Sequence, residues 1–416
     1  MVALSCGLAL GQAQYKVLYN FQGAQSGDGA LPGGLVSDRA GNLYGVTEVG
    51  GIAGGCDGGG CGVVYELSPN PDGTWSETVL HAFCAGGIPC VDGASPNAGL
   101  VLDPAGNLYG ITGYGGIDGC YVVSGLGCGV VFELSPPALP GGTWTYTLLY
   151  TFCSVVVGGT CEDGAIPYAG LTLGASGNLY GTTSEGGSGV GGGTVFELSP
   201  GSGGWIETVL YSFCSTGGEN CSDGLEPLSG ITFDKHGNLY GTTAAGGSAD
   251  YFGAGTLFEL SPQSGSWIES VVLGFSPSKS QPQYPYGLNI DPLGNFYLTF
   301  KTGKNGYGGV GRYSKGVLRS FIFNDADGNT PDSELLIDSS RRVLYGATTG
   351  GLFGTGNVFE INPAGQETVL FTFCQPDCTY GYQPTGGVIE DSLGNLYGTA
   401  EVGGTGNAGV VYELTP

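Results

Sequence analysis

Histidine, the side chain that most often handles protons or metals near neutral pH, occurs only at His81 and His236 in this chain of 416 residues. Two isolated imidazoles give no cluster for a metal or a quinone cofactor, and no Ser-His-Asp set is evident. Carboxylates dominate instead, with 36 acidic residues against 11 basic and a net charge of −25. That balance leaves no basic footprint for phosphates, so nucleic acid is not an expected partner. An anionic membrane surface is disfavoured for the same reason. Paired carboxylates can cleave glycosidic bonds, which keeps a carboxylate-based polysaccharide-cleaving enzyme, glycosidase or lyase, as the alternative to a binding module.

Five aspartates share an Asp-Gly-x-x-Pro motif: Asp28, Asp92, Asp163, Asp223 and Asp327. Two readings fit it. One is a hard-cation site, with calcium as the structural ion; the other is an Asp-Gly turn whose carboxylate caps nearby backbone amides. Recurrence of the motif along the chain favours the turn, and no cofactor or other metal is implied. A second cluster is basic. Eight of the 11 Lys and Arg residues fall between Lys279 and Arg342. Lys279, Lys301, Lys304 and Arg312, with Tyr284 and Tyr286 and the more distant Tyr380 and Tyr382, form a candidate sector for an anionic sugar or a partner's carboxylates. The competing reading is a divergent repeat with solvated lysines.

Thirteen cysteines are present, and twelve fall into local pairs: Cys56/Cys61, Cys84/Cys90, Cys120/Cys128, Cys153/Cys161, Cys214/Cys221 and Cys374/Cys378. Six pairs with almost no histidine nearby predict disulfides rather than zinc, and an oxidising compartment. The loops they close are short, so the links stiffen loops more than they hold a fold. The remaining cysteine, Cys6, lies in an apolar stretch, Val2 to Ala13, similar to the tail of a secretory signal peptide cut before Gln14 or Tyr15. No run is long enough for a membrane-spanning helix.

The elements that must position these groups are set by a repeat. Asn-Leu-Tyr-Gly, or a close variant, recurs at Tyr44, Tyr109, Tyr180, Tyr240, Tyr297, Tyr345 and Tyr397. Each unit has four strand-length runs rich in Val, Tyr, Phe and Thr, bounded by Gly, Pro, Asn and Asp. Glycine, at 85 residues, interrupts nearly every window that could be a helix. Seven units of four strands predict an all-β fold, a seven-bladed β-propeller of four-stranded antiparallel blades. The chain opens on a fourth strand, from Tyr15 to Phe21, and ends on a third, from Val410 to Pro416, so the N-terminal strand should complete the last blade and close the ring. The organisation expected is a signal-peptide remnant at 1–14 and a single propeller domain at 15–416, monomeric.

With strands lettered A to D from the axis outward, the A–B turns are short and uniform, whereas every cysteine pair lies in a B–C or D–A loop on the opposite face. Binding usually sits on variable loops carried by a rigid scaffold, so that face is the expected site, with the five aspartates ringing the channel mouth. The four tryptophans (Trp75, Trp144, Trp205, Trp267) share one place before strand D and read as packing. So do the strand C glutamates, such as Glu66 and Glu133, as solvated or inter-blade groups.

The unit Gly-Asn-Leu-Tyr-Gly-Thr-Thr, then Gly-Gly, then Gly-Thr-Val-Phe-Glu-Leu-Ser-Pro, best seen from Gly177 to Pro200 and from Gly237 to Pro262, resembles the GloVer-type tandem repeat. That repeat occurs in secreted bacterial proteins described as choice-of-anchor repeat proteins, and the resemblance covers Tyr15 to Pro416. It implies an extracellular or cell-surface location and no defined enzyme activity. Together the readings point to a secreted, disulfide-stabilised binding or scaffold module for polysaccharide or a protein partner.

Overall fold

The computed structural model describes residues 13–416 except 52–55, 57–58, 118–126, 140, 216–220, 248–252, 279–280, 304–305, 325–327, 351–353 and 375–377. Among the described residues there is no α-helix, and the strands form seven four-stranded antiparallel blades. Blade 1 runs from its inner strand A at Ala30–Ser37 through Leu43–Val49 and Val63–Pro69 to its outer strand D at Trp75–Ala82. In blade 3 strand A is split into Ala165–Pro167 and Thr172–Leu173. Blade 7 takes three strands from the C-terminal end, Val388–Glu390, Leu396–Ala400 and Val410–Thr415, and its fourth from the N-terminal end, Gln14–Asn20. Gln14 pairs with Thr415 and Asn20 with Val410, so the ring closes as the sequence predicts.

The repeated phrase is the blade's own wiring. Its Leu enters the core: Leu43, Leu108, Leu179, Leu239, Leu344 and Leu396 are buried. Its Asn and Tyr serve the A–B turn. In blade 2, Asp103 accepts from the amides of Ala105 (2.8 Å) and Asn107 (2.8 Å), from Asn107 Nδ2 (2.9 Å) and from the Tyr109 hydroxyl (3.4 Å). Its Gly leaves room for an aromatic ring from strand C. A Cβ at Gly110 would stand 2.5 Å from Phe132, and one at Gly181 would stand 2.6 Å from Phe196. The tryptophans pack between blades as expected: Trp144 meets Tyr44 edge-on at 5.9 Å, and Trp205 meets Tyr109 at 6.1 Å.

Blade 5 departs from the phrase in a compensated way. Leu298 replaces the motif glycine, and Gly311, paired opposite it, replaces the strand C aromatic. Bulk has been exchanged across one strand pair, so the blade is a packing variant with its sheet intact.

Adjacent blades are locked by the proline of the Asp-Gly-x-x-Pro motif or its equivalent. Each packs on the glycine that opens strand C of the preceding blade. A Cβ on Gly62, Gly129, Gly193, Gly255, Gly308, Gly356 or Gly409 would fall 2.4–2.8 Å from that proline ring. At Gly193 (φ +94°) it would also lie 2.4 Å from the Thr183 carbonyl. Gly193→Ala is therefore expected to cost about 2–4 kcal/mol, combining left-handed strain with overpacking. Gly177→Ala, at a turn with nothing within 4 Å, should cost only about 1–2 kcal/mol. Urea unfolding of the two variants checks this, and equal losses would remove the interlock argument.

Candidate functional site: the central channel and its disulfide-bearing mouth

Disulfides join Cys56–Cys61, Cys84–Cys90, Cys153–Cys161, Cys214–Cys221 and Cys374–Cys378, all in B–C or D–A loops. Cys128 is disulfide-bonded as well, while Cys120 lies outside the described residues. Neighbouring links touch, with the sulfurs of Cys61 and Cys90 3.8 Å apart. Paired sulfurs offer no thiolate to zinc. No helix of the described residues is long and apolar enough to cross a membrane.

The aspartates of the repeated motif do not ring the channel. Asp28, Asp92, Asp163 and Asp223 are absent from its wall, and Asp327 lies outside the described residues. Each described carboxylate is consumed locally, capping the end of the preceding strand D. Asp163 accepts from the Tyr150 hydroxyl (2.7 Å) and from the Ser154 amide (2.8 Å) and hydroxyl (2.8 Å). Asp223 accepts from the Tyr211 hydroxyl (3.0 Å) and the Cys214 amide (2.8 Å). Asp28 takes Tyr19 and the Gln22 amide, and Asp92 takes His81 and the Cys84 amide. A carboxylate saturated by amide and hydroxyl donors is a turn cap, so the motif builds loops.

What lines the channel is a cavity of about 700 Å³, within the size range of small-molecule sites. Two positions per blade recur in its wall. The residue after the interlocking proline gives Asn97, Tyr168, Leu228, Tyr286, Asp332 and Thr385, with Gly33 in blade 1. The fourth residue after the motif tyrosine adds Glu48, Lys301 and Glu401.

Blade 5 is the focus of this wall. The Lys301 ammonium lies 4.3 Å from the centre of the Tyr286 ring and pairs with Asp332 at 3.3 Å. Asp332 also accepts from Thr349 Oγ1 at 2.9 Å. Tyr168 meets Tyr286 edge-on at 6.3 Å, and burial holds the Tyr286 phenol neutral, well above its ordinary range. Glu401 is raised by burial, with Glu48 and Asp332 as like charges, while a hydrogen bond from Thr385 (2.9 Å) opposes the shift. Lys301 is thus already neutralised and covered by a ring. Glu48, Glu401 and Glu334 leave an excess of carboxyl groups in the cavity wall.

Of the described residues of the expected binding sector, only Lys301 and Tyr286 come together. Arg312 occupies the strand C place that carries glutamate in other blades. Its guanidinium lies 5.8 Å from the Tyr297 ring, and Tyr297 donates to Asp291 of the A–B turn, so Arg312 belongs to the opposite half of the blade. Tyr284 turns back in a left-handed conformation (φ 56°), its amide donating to the Ala254 carbonyl at 2.9 Å, and it is not part of the cavity wall. Tyr380 and Tyr382 belong to the ring-closing seam. Tyr380 stacks edge-on against Tyr15 at 5.7 Å, and Tyr382 packs on the cluster around Tyr412. Lys279 and Lys304 lie outside the described residues.

Sequence reasoning missed Tyr168, Asp332, Glu48, Glu401 and Glu334. The signal was present as places where aligned repeats disagree while their neighbours agree. Packing poses the same problem in every blade and receives the same residue, whereas positions facing the shared axis do not.

The chain matches the model of the Gloeobacter/Verrucomicrobia repeat over residues 7–252 and again over 227–416. No curated protein has a matching sequence. Among solved structures it is similar to hydrazine synthase of Kuenenia stuttgartiensis (TM-score 0.56, 12% identity, covering 92% of this chain and 96% of that one). It is also similar to PorZ, a surface component of the type-IX secretion system of Porphyromonas gingivalis (TM-score 0.52, 13% identity, 94% of this chain and 47% of that one). A third is the GH74 xyloglucanase of Xanthomonas campestris (TM-score 0.49, 14% identity, 94% and 52%). At such low identity the first two likenesses speak for the fold alone. The family match spans nearly the whole chain, and the protein belongs to the Gloeobacter/Verrucomicrobia repeat family.

Proposed function

We propose that this protein is an extracellular, monomeric binding module that takes the end of a neutral polysaccharide chain into the mouth of its central channel. The observation that carries the reading is the cavity wall itself. Tyr286 and Tyr168 offer aromatic faces and edges to the apolar side of a sugar ring. Glu48, Glu401 and Asn97 offer acceptors to its hydroxyls, and the excess of carboxyl groups disfavours uronic acids. Disulfides brace the loops around the mouth, which lowers the ordering cost of binding and suits an oxidising compartment.

Titration calorimetry with neutral and acidic oligosaccharides tests this. Neutral chains should bind and acidic ones should not. Tyr286→Ala should weaken binding at least about tenfold, the loss of a stacking contact worth about 1.4 kcal/mol, while Arg312→Ala leaves it unchanged. Absence of any saccharide binding, or indifference to Tyr286→Ala, would sink the proposal. The second reading, a carboxylate glycosidase or lyase, is favoured by one feature, the carboxyls of Glu48, Glu401 and Glu334 in one cavity wall, since such enzymes work with paired carboxylates. Reducing-end release from the same substrates separates it from the first.

A further inference from the structure

One row of side chains crosses every blade, and in blade 5 its charge is reversed. The motif tyrosine of strand B stands opposite a strand C residue, which in turn stands opposite a strand D residue. In six blades the strand C residue is glutamate. Its strand D neighbour is Thr or Ser in five of these blades, as with Glu197 and Thr208, and in blade 7 Lys16 faces Glu413. Blade 5 carries Tyr297, Arg312 and Arg319 in the same row. Like charges placed directly opposite on paired strands repel, so the free protein bears a cost here that this row bears in no other blade.

Among the described residues neither arginine pairs with a carboxylate. Both are exposed. The hairpin that holds them, Gly309–Ser314 and Val317–Ile322, adds an exposed Lys315 at its turn and contains no acid. Arg312 is held in place, with its guanidinium 5.8 Å from the centre of the Tyr297 ring. The next blade leaves the row uncovered. Trp144 and Trp205 cover Tyr44 and Tyr109 from the blade that follows. In blade 6 the tryptophan's place, two residues before the strand D glutamate, is Gly365, and a Cβ there would meet nothing within 4 Å. Tyr297 is accordingly half-buried, whereas Tyr44, Tyr109, Tyr180 and Tyr240 are buried.

We propose that Arg312 and Arg319 bind a tetrahedral oxyanion, sulfate or phosphate, either free or as a terminal ester. Each guanidinium presents a planar fork of donors to a pair of oxygens. A carboxylate has two oxygens, enough for one fork. Sulfate and phosphate keep three free oxygens even as monoesters and so serve both forks, and their charge removes the repulsion across the strand pair. The net charge of −25 repels long polyanions, which favours a single anionic group. The site lies in the half of blade 5 that carries the A–B turn, shares no residue with the channel wall, and does not depend on the carbohydrate reading.

The test is titration calorimetry on the full chain at fixed ionic strength with inorganic sulfate, inorganic phosphate and galactose 6-sulfate. The wild type should bind the inorganic anions. Tighter binding of the sugar sulfate would assign the site to an ester on a larger ligand, and equal or weaker binding to the free anion. Arg319→Thr, which installs the residue of most other blades, should weaken binding at least about tenfold, the loss of charge-assisted hydrogen bonds. Arg312→Glu, which restores the residue of the other blades, should abolish it. Tyr286→Ala, altered only in the channel, should bind as the wild type does. Thermal unfolding gives a second readout. Without added anion Arg312→Glu should unfold at a higher temperature than the wild type, because an attractive pair replaces a repulsive one. Added sulfate should raise the wild type more than the variant, since its general stabilising effect is common to both. Failure of the wild type to bind either inorganic anion would overturn the proposal, and so would binding that survives both arginine substitutions.

Discussion

Removing residues 1–20 is expected to leave a chain that aggregates. Those residues include the fourth strand of blade 7, and their loss exposes the whole edge of Val410–Thr415, an unpaired apolar strand of the kind that templates association. The side-chain loss is as large as the edge. Tyr15 stacks on Phe371 at 3.9 Å and lies against Tyr412 at 5.3 Å and Phe373 at 5.9 Å. Leu18 is buried as well. Tyr15→Ala alone should cost about 3–5 kcal/mol. Size-exclusion chromatography and urea unfolding of the deletion and the point variant are the measurements. A monomeric deletion variant with wild-type stability would show that the ring does not depend on its closing strand.

Stability should also fall as pH rises from about 5 to 8.5, the reverse of what a strongly acidic protein suggests. Burial pushes Glu77 and Glu269 up to about 7 and Glu207 up to about 8, with Asp28, Asp223 and Asp163 adding like charge. These three glutamates recur two residues after a tryptophan of strand D, and each leaves one carboxyl oxygen buried without a hydrogen-bond partner. A carboxyl raised in the folded state holds its proton more tightly there than in the unfolded chain. Its contribution is full below the unfolded value of 4.5 and is lost as pH rises through 7 to 8.

A tenfold gain in proton affinity on folding is equivalent to about 1.4 kcal/mol. The three side chains are only partly enclosed, and screening by water leaves on the order of 1 kcal/mol for each. The acid limb has the opposite sign. At Asp234, Asp291 and Asp391 partial burial is outweighed by the hydrogen bonds of the A–B turns, which hold the carboxyls low. Their contribution is present above the ordinary carboxylate range and is lost on acidification. Thermal unfolding from pH 3 to 9 should peak at about pH 5. Replacing Glu77, Glu207 and Glu269 together by glutamine should flatten the alkaline limb and leave the acid limb in place. An unfolding temperature that climbs steadily to pH 8.5, or an alkaline slope unchanged in the triple variant, would refute the assignment.

The propeller was legible because its rules are local. Asp103, Gly106, Asn107 and Tyr109 make one turn among themselves, and such turns or their variants, spaced by apolar runs, define seven blades with a strand order and a missing strand at each end. Cysteine pairing was legible for the same reason, since Cys153 and Cys161 close their own loop. The odd composition of blade 5 was visible too, but its meaning was not. Only the pairing of Leu298 with Gly311 shows an exchange of bulk.

The site was read less well, because it forms where distant segments converge. Arg312 and Lys301 are neighbours in sequence, yet strand C carries one toward the A–B turns while strand B brings the other to the channel. Asp163 carries the residue type of a cation ligand, and its own loop consumes it. Glu334 resembles an unremarkable acid until the assembled ring places it in the wall of the channel. The blades, their closure and the face that carries the loops follow from residue order alone, since each depends on hydrogen bonds and packing within one repeat or between successive repeats. Which side chains reach the axis follows only from the assembled ring, because that depends on the radius at which seven blades close and on how far each side chain extends into the space they leave.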